Sequence, residues 1–189
     1  TGKVLGPNTV RLTWQASPNA TGYNVWRVRD YLNNDTAAVV GPVPGTGFLD
    51  VSVDDQAEFL YVLRSANPAL NPQESGFGNA IVLRPHERPT VDSVVAVGDR
   101  QVELWFSWPV VDRESDRALF ELNGEQIPNA IVAGGASKRL VLSFREPFQI
   151  GWNSIQIDTT FQDADLACLD PSSQMLSFFY EPVEEDFLF

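Results

Sequence analysis

The 189-residue sequence predicts an all-β protein built from two consecutive β-sandwiches. Apolar residues recur at alternate positions in many short segments, which is the period of a half-buried strand. Clusters of Gly, Pro, Asn and Asp separate these segments, and no segment has the period of an amphipathic helix. The stretch LRPHERPT, residues 83–90, divides the chain into halves of about 90–100 residues, each the size of a small sandwich.

In the first half, the clearest strand segments are TVRLTW, YNVWRV and EFLYVLRSAN. Their alternation predicts one apolar face on each strand. The residues expected on these faces are Val10, Leu12, Trp14, Tyr23, Val25, Phe59, Tyr61 and Leu63. Trp26 is expected on the opposite side of its strand from Tyr23 and Val25, so what covers its ring is an open question.

The second half repeats this pattern in QVELWFSW, RLVLSF and WNSIQID, and it closes with QMLSFFYEP. An Asn123-Gly124 turn signal follows the segment ALFEL. The residues expected to face inward are Val102, Leu104, Phe106, Leu140, Leu142, Phe144, Ile155 and Ile157.

The proline-rich stretch marks the predicted domain boundary. Pro85 and Pro89 interrupt any strand and make a short, fairly stiff connector. We therefore expect one domain at residues 1–86 and a second at residues 87–189. The sequence starts without Met and ends in three apolar residues, so we expect a segment of a longer protein, with those residues beginning a further domain or forming an edge strand.

Charge is distributed unevenly between the halves. Residues 87–189 carry 7 basic and 18 acidic side chains, whereas residues 1–86 are nearly neutral. An acidic surface repels phosphate backbones, which argues against a nucleic-acid partner. No apolar run approaches the roughly 18 residues of a membrane span. The one cysteine, Cys168, cannot form an intrachain disulfide, which is typical of the cytosol or of a bacterial surface protein that does not need bridges.

Residues 8–84 resemble a fibronectin type III domain of the bacterial kind. The matching segments are VRLTW, ATGYNVWR, TGFLDVSVDD and YVLRSANPALNPQES. The sequence departs from this family at Phe59, which stands where the family has a corner tyrosine. Tyr61 is one candidate to replace its hydroxyl, and packing alone is the other.

Residues 89–182 resemble a bacterial Ig-like domain. The matching segments are PTVDSVVAVGDRQVELWFSWPV, FELNGEQI, LVLSF, PFQIGWNSIQI and DADLACLD. The two resemblances imply two tandem immunoglobulin-like β-sandwiches of a secreted or surface multidomain bacterial protein. Both families serve as spacers, interaction modules or accessory domains, and neither implies catalysis.

Tryptophans are the main candidates for ligand binding. Trp14 occupies the core position of the type III resemblance and is assigned to the core. The candidates that lie on outward faces or in turns are Trp26, Trp105, Trp108 and Trp152. Three roles remain open for them: packing under neighbouring protein, anchoring a protein interface, and stacking on carbohydrate.

Two acidic loops are weak candidates for calcium. The segments DRESD and DADLACLD supply Asp112, Glu114, Asp116, Asp163 and Asp165. Calcium favours clustered oxygen ligands, but neither segment has the Gly or the terminal Glu of an EF-hand loop. Solvated acidic loops are the favoured interpretation. The only histidine, His86, lies in the proline connector about eighty residues from Cys168, so no catalytic pair is predicted.

The sequence therefore predicts a non-catalytic segment of a larger extracellular or cell-surface bacterial protein, acting as a spacer, display or interaction module. The alternatives are a carbohydrate- or protein-binding module that uses the exposed tryptophans, and a calcium-stabilised adhesin-type repeat. The expected partners are neighbouring domains of the same polypeptide and a surface protein or a glycan. We expect a monomer, with no cofactor, no nucleic acid and no membrane span.

Overall fold

The computed structural model describes residues 1–33 and 37–182. The chain forms two compact units: unit 1 is residues 1–88 with 165–167, and unit 2 is residues 89–164 with 168–189. Each unit is a pair of antiparallel sheets around an apolar core, so the predicted all-β fold with two sandwiches is confirmed. The three apolar residues that end the sequence lie outside the described residues.

In its described residues, unit 1 has seven strands and one 3₁₀ turn at Tyr31–Asn33. The strands are β1 (Gly2–Gly6), β2 (Thr9–Thr13), β3 (Gly22–Arg29), β4 (Ala38–Val43), β5 (Gly47–Asp50), β6 (Phe59–Ala66) and β7 (Ile81–Leu83). One sheet has the order β1-β2-β5 and the other β4-β3-β6-β7. This is the two-layer arrangement that the type III resemblance implies.

The alternation predicted for unit 1 explains its core. Tyr23 and Val25 of β3 are buried, whereas Trp26 of the same strand lies on the outer face of the four-stranded sheet. The buried residues that form the main apolar cluster of this unit are Val4, Val10, Leu12, Val25, Val53, Phe59, Tyr61, Leu83 and Ala167. Ala167 belongs here because residues 165–167 join unit 1, where the Val4 amide donates to the Leu166 carbonyl at 3.3 Å.

A buried carboxylate joins the two sheets of unit 1. Asp50, at the end of β5, is only 2% exposed. It accepts hydrogen bonds from the Arg27 guanidinium of β3 at 2.7 Å and from the Tyr61 hydroxyl of β6 at 3.0 Å. The amide and hydroxyl of Ser52 donate to its second oxygen. Tyr61 therefore supplies the buried hydroxyl that Phe59 lacks, and it bonds to a side chain rather than to the backbone.

The same contacts set the ionisation of this network. Burial alone would raise the pKa of Asp50, but the hydrogen bonds from Ser52, Arg27 and Tyr61 outweigh burial and hold that pKa below its ordinary value. Burial and the neighbouring Asp50 charge raise the pKa of the Tyr61 hydroxyl. Asp50 is therefore ionised and Tyr61 neutral at neutral pH.

Acid is expected to destabilise unit 1 through Asp50. Because the folded-state pKa lies below the unfolded one, the stabilisation is complete above roughly pH 4 and is lost as pH falls through the folded pKa. The Asp50→Asn variant should show a flatter dependence of unfolding free energy on pH below roughly pH 4. Urea denaturation of unit 1 at several pH values measures this, and parallel curves for the two proteins would contradict it.

Up to residue 182, unit 2 also has seven strands, with two 3₁₀ segments at Glu114–Leu119 and Pro171–Ser173. The strands are β8 (Val91–Ala96), β9 (Gln101–Val110), β10 (Phe120–Leu122), β11 (Ala130–Val132), β12 (Ser137–Ser143), β13 (Gly151–Ile157) and β14 (Met175–Tyr180). The sheets have the orders β11-β12-β9-β8 and β10-β13-β14. When the seven strands of this unit are lettered A to G in chain order, the two sheets contain strands ABED and CFG, as in a constant-type immunoglobulin sandwich.

The core of unit 2 follows the predicted faces. Both sheets contribute buried residues to this core, and those that lie on strands include Val102, Leu104, Phe106, Phe120, Leu122, Leu140, Leu142, Ile155, Ile157 and Phe178. Phe161, from the connection after β13, is fully buried and packs against Phe106 and Phe120 with ring centroids 5.5 and 5.0 Å apart. The predicted turn follows β10, with Asn123 and Gly124 at φ values of 53° and 72°. Among the described residues, no helix is long and apolar enough to cross a bilayer.

Candidate interaction site

Trp26 is covered by its own unit. Phe77, in the connection between β6 and β7, meets the indole edge-on, with ring centroids 5.8 Å apart and planes at 83°. The Arg64 guanidinium in turn lies over the Phe77 ring, 4.9 Å from the ring centroid. The indole nitrogen of Trp26 is shielded from solvent. Phe77, which itself lies under Arg64, thus provides the cover that the sequence left open.

Polar contacts hold this cover in place. Arg64 forms an ion pair with Glu74 at 2.8 Å, and its Nε donates to the Ser75 carbonyl at 2.7 Å. The Asn24 side chain donates to the other oxygen of Glu74 at 2.6 Å. Because Asn24 is on β3 and Arg64 on β6, the loop that carries Phe77 is fastened to both strands.

Removing the Phe77 ring should expose Trp26. In Phe77→Ala we expect stronger quenching of tryptophan fluorescence by acrylamide and a cost in unfolding free energy of about 0.5–1.5 kcal/mol, the usual value of an aromatic pair. Leu70→Ala is the control, since Leu70 is about as exposed as Phe77 but has no ring contact with Trp26. Equal quenching in the two variants would show that Phe77 does not cover the indole.

Trp105 and Trp108 both lie on β9. Trp105 is 43% exposed on the outer face of the four-stranded sheet, because its neighbours Leu104 and Phe106 face the core. Beside it, a hydrogen bond from Arg139 lowers the pKa of Glu103, with a smaller contribution from Trp105 itself. Trp108 is half-buried near the end of the strand.

Trp152 is the most exposed tryptophan in the described part of the chain. It lies on β13 and is 69% exposed, and its cross-strand neighbour Phe179 on β14 is 53% exposed. The two rings meet edge-to-face, with centroids 5.6 Å apart and planes at 75°. Ile150, just before β13, is also strongly exposed. We call Trp152, Phe179 and Ile150 the aromatic patch.

A cleft adjoins the aromatic patch at Phe179. It has a volume of about 560 Å³ and lies between the β8–β9 turn and the end of β14. Ala96, Val97 and Tyr180 supply apolar lining, and Asp99 and Glu181 supply two carboxylates. Asp99 also contacts the Arg100 guanidinium at 3.5 Å. The patch and the cleft together form one surface with apolar and acidic parts.

The tryptophans of unit 2 do not form one platform. Trp105 points outward from the β11-β12-β9-β8 sheet and Trp152 outward from the β10-β13-β14 sheet, and the core lies between these sheets. These two side chains are therefore on opposite faces of the sandwich. The partner of Trp152 is Phe179, which the sequence analysis did not single out.

The acidic loop candidates take part in contacts with protein groups. Glu114 pairs with Arg117, and Asp116 lies 3.4 Å from the Arg113 guanidinium. The Asp112 carboxylate accepts the Ala133 amide at 3.2 Å. In the described ranges, no three His, Cys, Asp or Glu side chains are grouped so that they could hold a metal ion. Calcium binding stays a prediction.

Asp163 and Asp165 occupy different surroundings. Asp163 is fully buried, and its carbonyl accepts a hydrogen bond from Arg113. Asp165 lies 4.0 Å from Nε2 of His86 within unit 1. Although His86 lies in the proline connector, its ring is fully buried, and Nδ1 lies 2.5 Å from the Glu87 carbonyl. Cys168 is buried in unit 2.

The sequence analysis did not single out Phe77 or Phe179, although the sequence around each gave an indication of its exposure. Phe77 stands between two glycines in a loop, where a large ring has few neighbours in sequence to pack on. Phe178 and Phe179 are adjacent in a strand, so one of them must face outward. Asp99 and Glu181 had no such signal, because their proximity depends on the packing of β8 near β14.

No family model and no curated protein matches this sequence. Similar solved structures are fibronectin type III domains. An Fn3-like protein from Clostridium thermocellum shares 21% identity, with 46% of this chain and 90% of that chain covered and a TM-score of 0.37. A two-domain fibronectin type III segment of chicken tenascin shares 13% identity over 96% of this chain and 97% of its own, with a TM-score of 0.39. The FN5 domain of Drosophila Lar shares 11% identity, with 46% of this chain and 89% of that chain covered and a TM-score of 0.39.

Proposed function

We propose that this chain is a non-catalytic tandem module, a type III domain followed by a bacterial Ig-like domain, within a larger extracellular bacterial protein. Its role is to space or display neighbouring domains and to make contacts through its surface. The observation that carries this proposal is that each unit completes its own apolar core, while large aromatic side chains remain on outer sheet faces. Such exposed rings are typical of interaction surfaces.

Two further features support the proposal. The strand order of unit 2 is that of a constant-type immunoglobulin sandwich, as the Ig-like resemblance implies. The one cysteine, Cys168, is buried, and the chain can form no intrachain disulfide, as in bacterial surface proteins that do not depend on such bridges. Both features suit a stable spacer in a bacterial surface protein.

Binding through the aromatic patch is the second function that an observation favours. Trp152 and Phe179 are more exposed than Trp105, and they lie together on neighbouring strands. Trp26 is instead covered by Phe77, and Arg64 lies over the Phe77 ring. A binding role therefore belongs to unit 2.

Cell-surface labelling tests the extracellular role. Antibodies raised against this chain should label intact bacteria that produce the parent protein, or detect it in the culture medium, while a cytosolic enzyme stays unlabelled until lysis. Protease added to intact cells should remove the signal. Detection only after lysis, in the cytosolic fraction, would overturn the proposal.

A further inference from the structure

The aromatic patch is an unusual feature of an outer sheet face. In an antiparallel sandwich the outer faces are normally polar, and the neighbouring positions on β13 and β14 follow this rule with Ser154, Gln156 and Ser177, whereas Met175 at the far end of β14 is apolar and 58% exposed. Trp152 and Phe179 break the rule at one end of the same two strands. Two large rings left in water at adjacent positions favour a binding role over a purely structural one.

The geometry of the two rings indicates the kind of ligand. A sugar ring stacks best on a flat aromatic surface, but the planes of Trp152 and Phe179 are inclined by 75°. The pair forms a ridge and a corner, which fit the branched or long side chains of a protein. Tryptophan is also among the side chains that most often dominate protein interfaces.

The charge of the surroundings selects among protein partners. Asp99 and Glu181 line the adjoining cleft, and residues 87–189 carry an excess of eleven negative charges. This field attracts cations and repels anions. A Lys or Arg side chain can also lie over the exposed face of an indole while its charge approaches a carboxylate. A second copy of this acidic chain would meet repulsion at the same surface.

We propose that the aromatic patch and its cleft bind a positively charged protein segment, in which large apolar side chains neighbour Lys or Arg. The apolar side chains pack against Trp152, Phe179 and Ile150. The basic groups pair with Asp99 and Glu181 across the cleft. This inference rests on the interaction part of the proposed function, and it holds whichever compartment the parent protein occupies.

Three synthetic twelve-residue peptides provide the probes: alternating Leu-Lys, alternating Leu-Glu and alternating Ser-Lys. Each is titrated into the full chain while the amide and indole resonances are followed. We expect the Leu-Lys peptide to shift the resonances of Trp152, Phe179 and the β8–β9 turn, with an affinity that weakens as salt is added. The other two peptides should leave these resonances unchanged.

Variants locate the binding surface. Trp152→Ala and Phe179→Ala should each weaken Leu-Lys binding by roughly tenfold or more. The double change Asp99→Asn with Glu181→Gln should reduce its salt dependence. Trp105→Ala, the matched control on the opposite face, should bind as the unchanged protein does. All of these residues are exposed, and an unchanged dispersion of amide resonances verifies the fold.

Several results would overturn the inference. One is that the Leu-Glu peptide binds as tightly as the Leu-Lys peptide. Another is that Trp105→Ala weakens Leu-Lys binding as much as Trp152→Ala does. The third is that the Leu-Lys peptide shifts no resonance. Shifts of Trp152 with chitohexaose or cellohexaose would assign the patch to glycans instead. Concentration-dependent dimerisation that Trp152→Ala abolishes would assign it to a second copy. A changed Trp152 resonance after deletion of residues 183–189 would assign it to this chain's own terminal segment. Cell-surface labelling is independent of all these results, so the two proposals can fail separately.

Discussion

Replacing Asp50 with Ala should lower the unfolding free energy of unit 1 by about 3–5 kcal/mol, the usual cost of breaking a buried ion pair from one side. The Arg27 guanidinium would lose its carboxylate at 2.7 Å, and the Tyr61 hydroxyl would lose its acceptor inside the core. Since the chain has two units, the unfolding of unit 1 is best followed by amide resonances of β3 and β6 in urea.

Asp54 provides the matched control for this prediction. It pairs with Arg29 at 2.8 Å, nearly the same distance, but both side chains are more than half exposed. Water screens such a pair, so Asp54→Ala should cost less than about 1 kcal/mol. Losses of the same size in both variants would show that burial does not give the Asp50 network its importance.

Replacing Phe161 with Ala should lower the unfolding free energy of unit 2 by about 3–5 kcal/mol, as is usual for a large aromatic side chain lost from a core. Phe161 is fully buried and contacts Phe106 of β9 and Phe120 of β10, which belong to different sheets. Its removal would leave a cavity between the sheets that strands cannot close without losing their register. Urea unfolding followed by amide resonances of β9 and β13 measures the loss.

Phe179→Ala is the control in the same unit, because it removes the same ring from a mostly exposed position. Its cost in unfolding free energy should not exceed about 1.5 kcal/mol, the upper value of an aromatic pair, because its edge contact with Trp152 is the ring contact that it loses. If this change destabilised unit 2 as much as Phe161→Ala, Phe179 would be a core residue. The aromatic patch would then be structural.

Alternation in the sequence predicted the most strongly patterned strands, such as β2, β3 and β9, and their buried faces, but it did not single out short strands such as β1 and β7. Val10, Leu12, Tyr23 and Val25 are buried as expected, because a strand turns successive side chains to opposite faces whatever its neighbours are. The same rule placed Trp152 on an outer face. It could not distinguish Trp152 from Trp26, because the cover of an outer face comes from another part of the chain.

Contacts between distant segments explain what the sequence did not predict. Phe77 covers Trp26 from fifty-one positions along the chain, and the loop that carries it has no periodic pattern. The sequence analysis did not single out Asp50, because its burial depends on how two sheets approach at Arg27 and Tyr61. His86 lies between prolines in sequence, yet its ring is buried by tertiary packing.

Solvent access to the five indole groups tests most directly the claim that the binding surface of this chain is the Trp152–Phe179 patch. A soluble gadolinium chelate broadens the resonances of exposed N–H groups, and single Trp→Phe variants assign each indole. We predict the strongest broadening for Trp152, less for Trp105, and little for Trp14 and Trp26, whose indole nitrogens are shielded. A protected Trp152, or a Trp26 broadened as strongly as Trp152, would contradict this account.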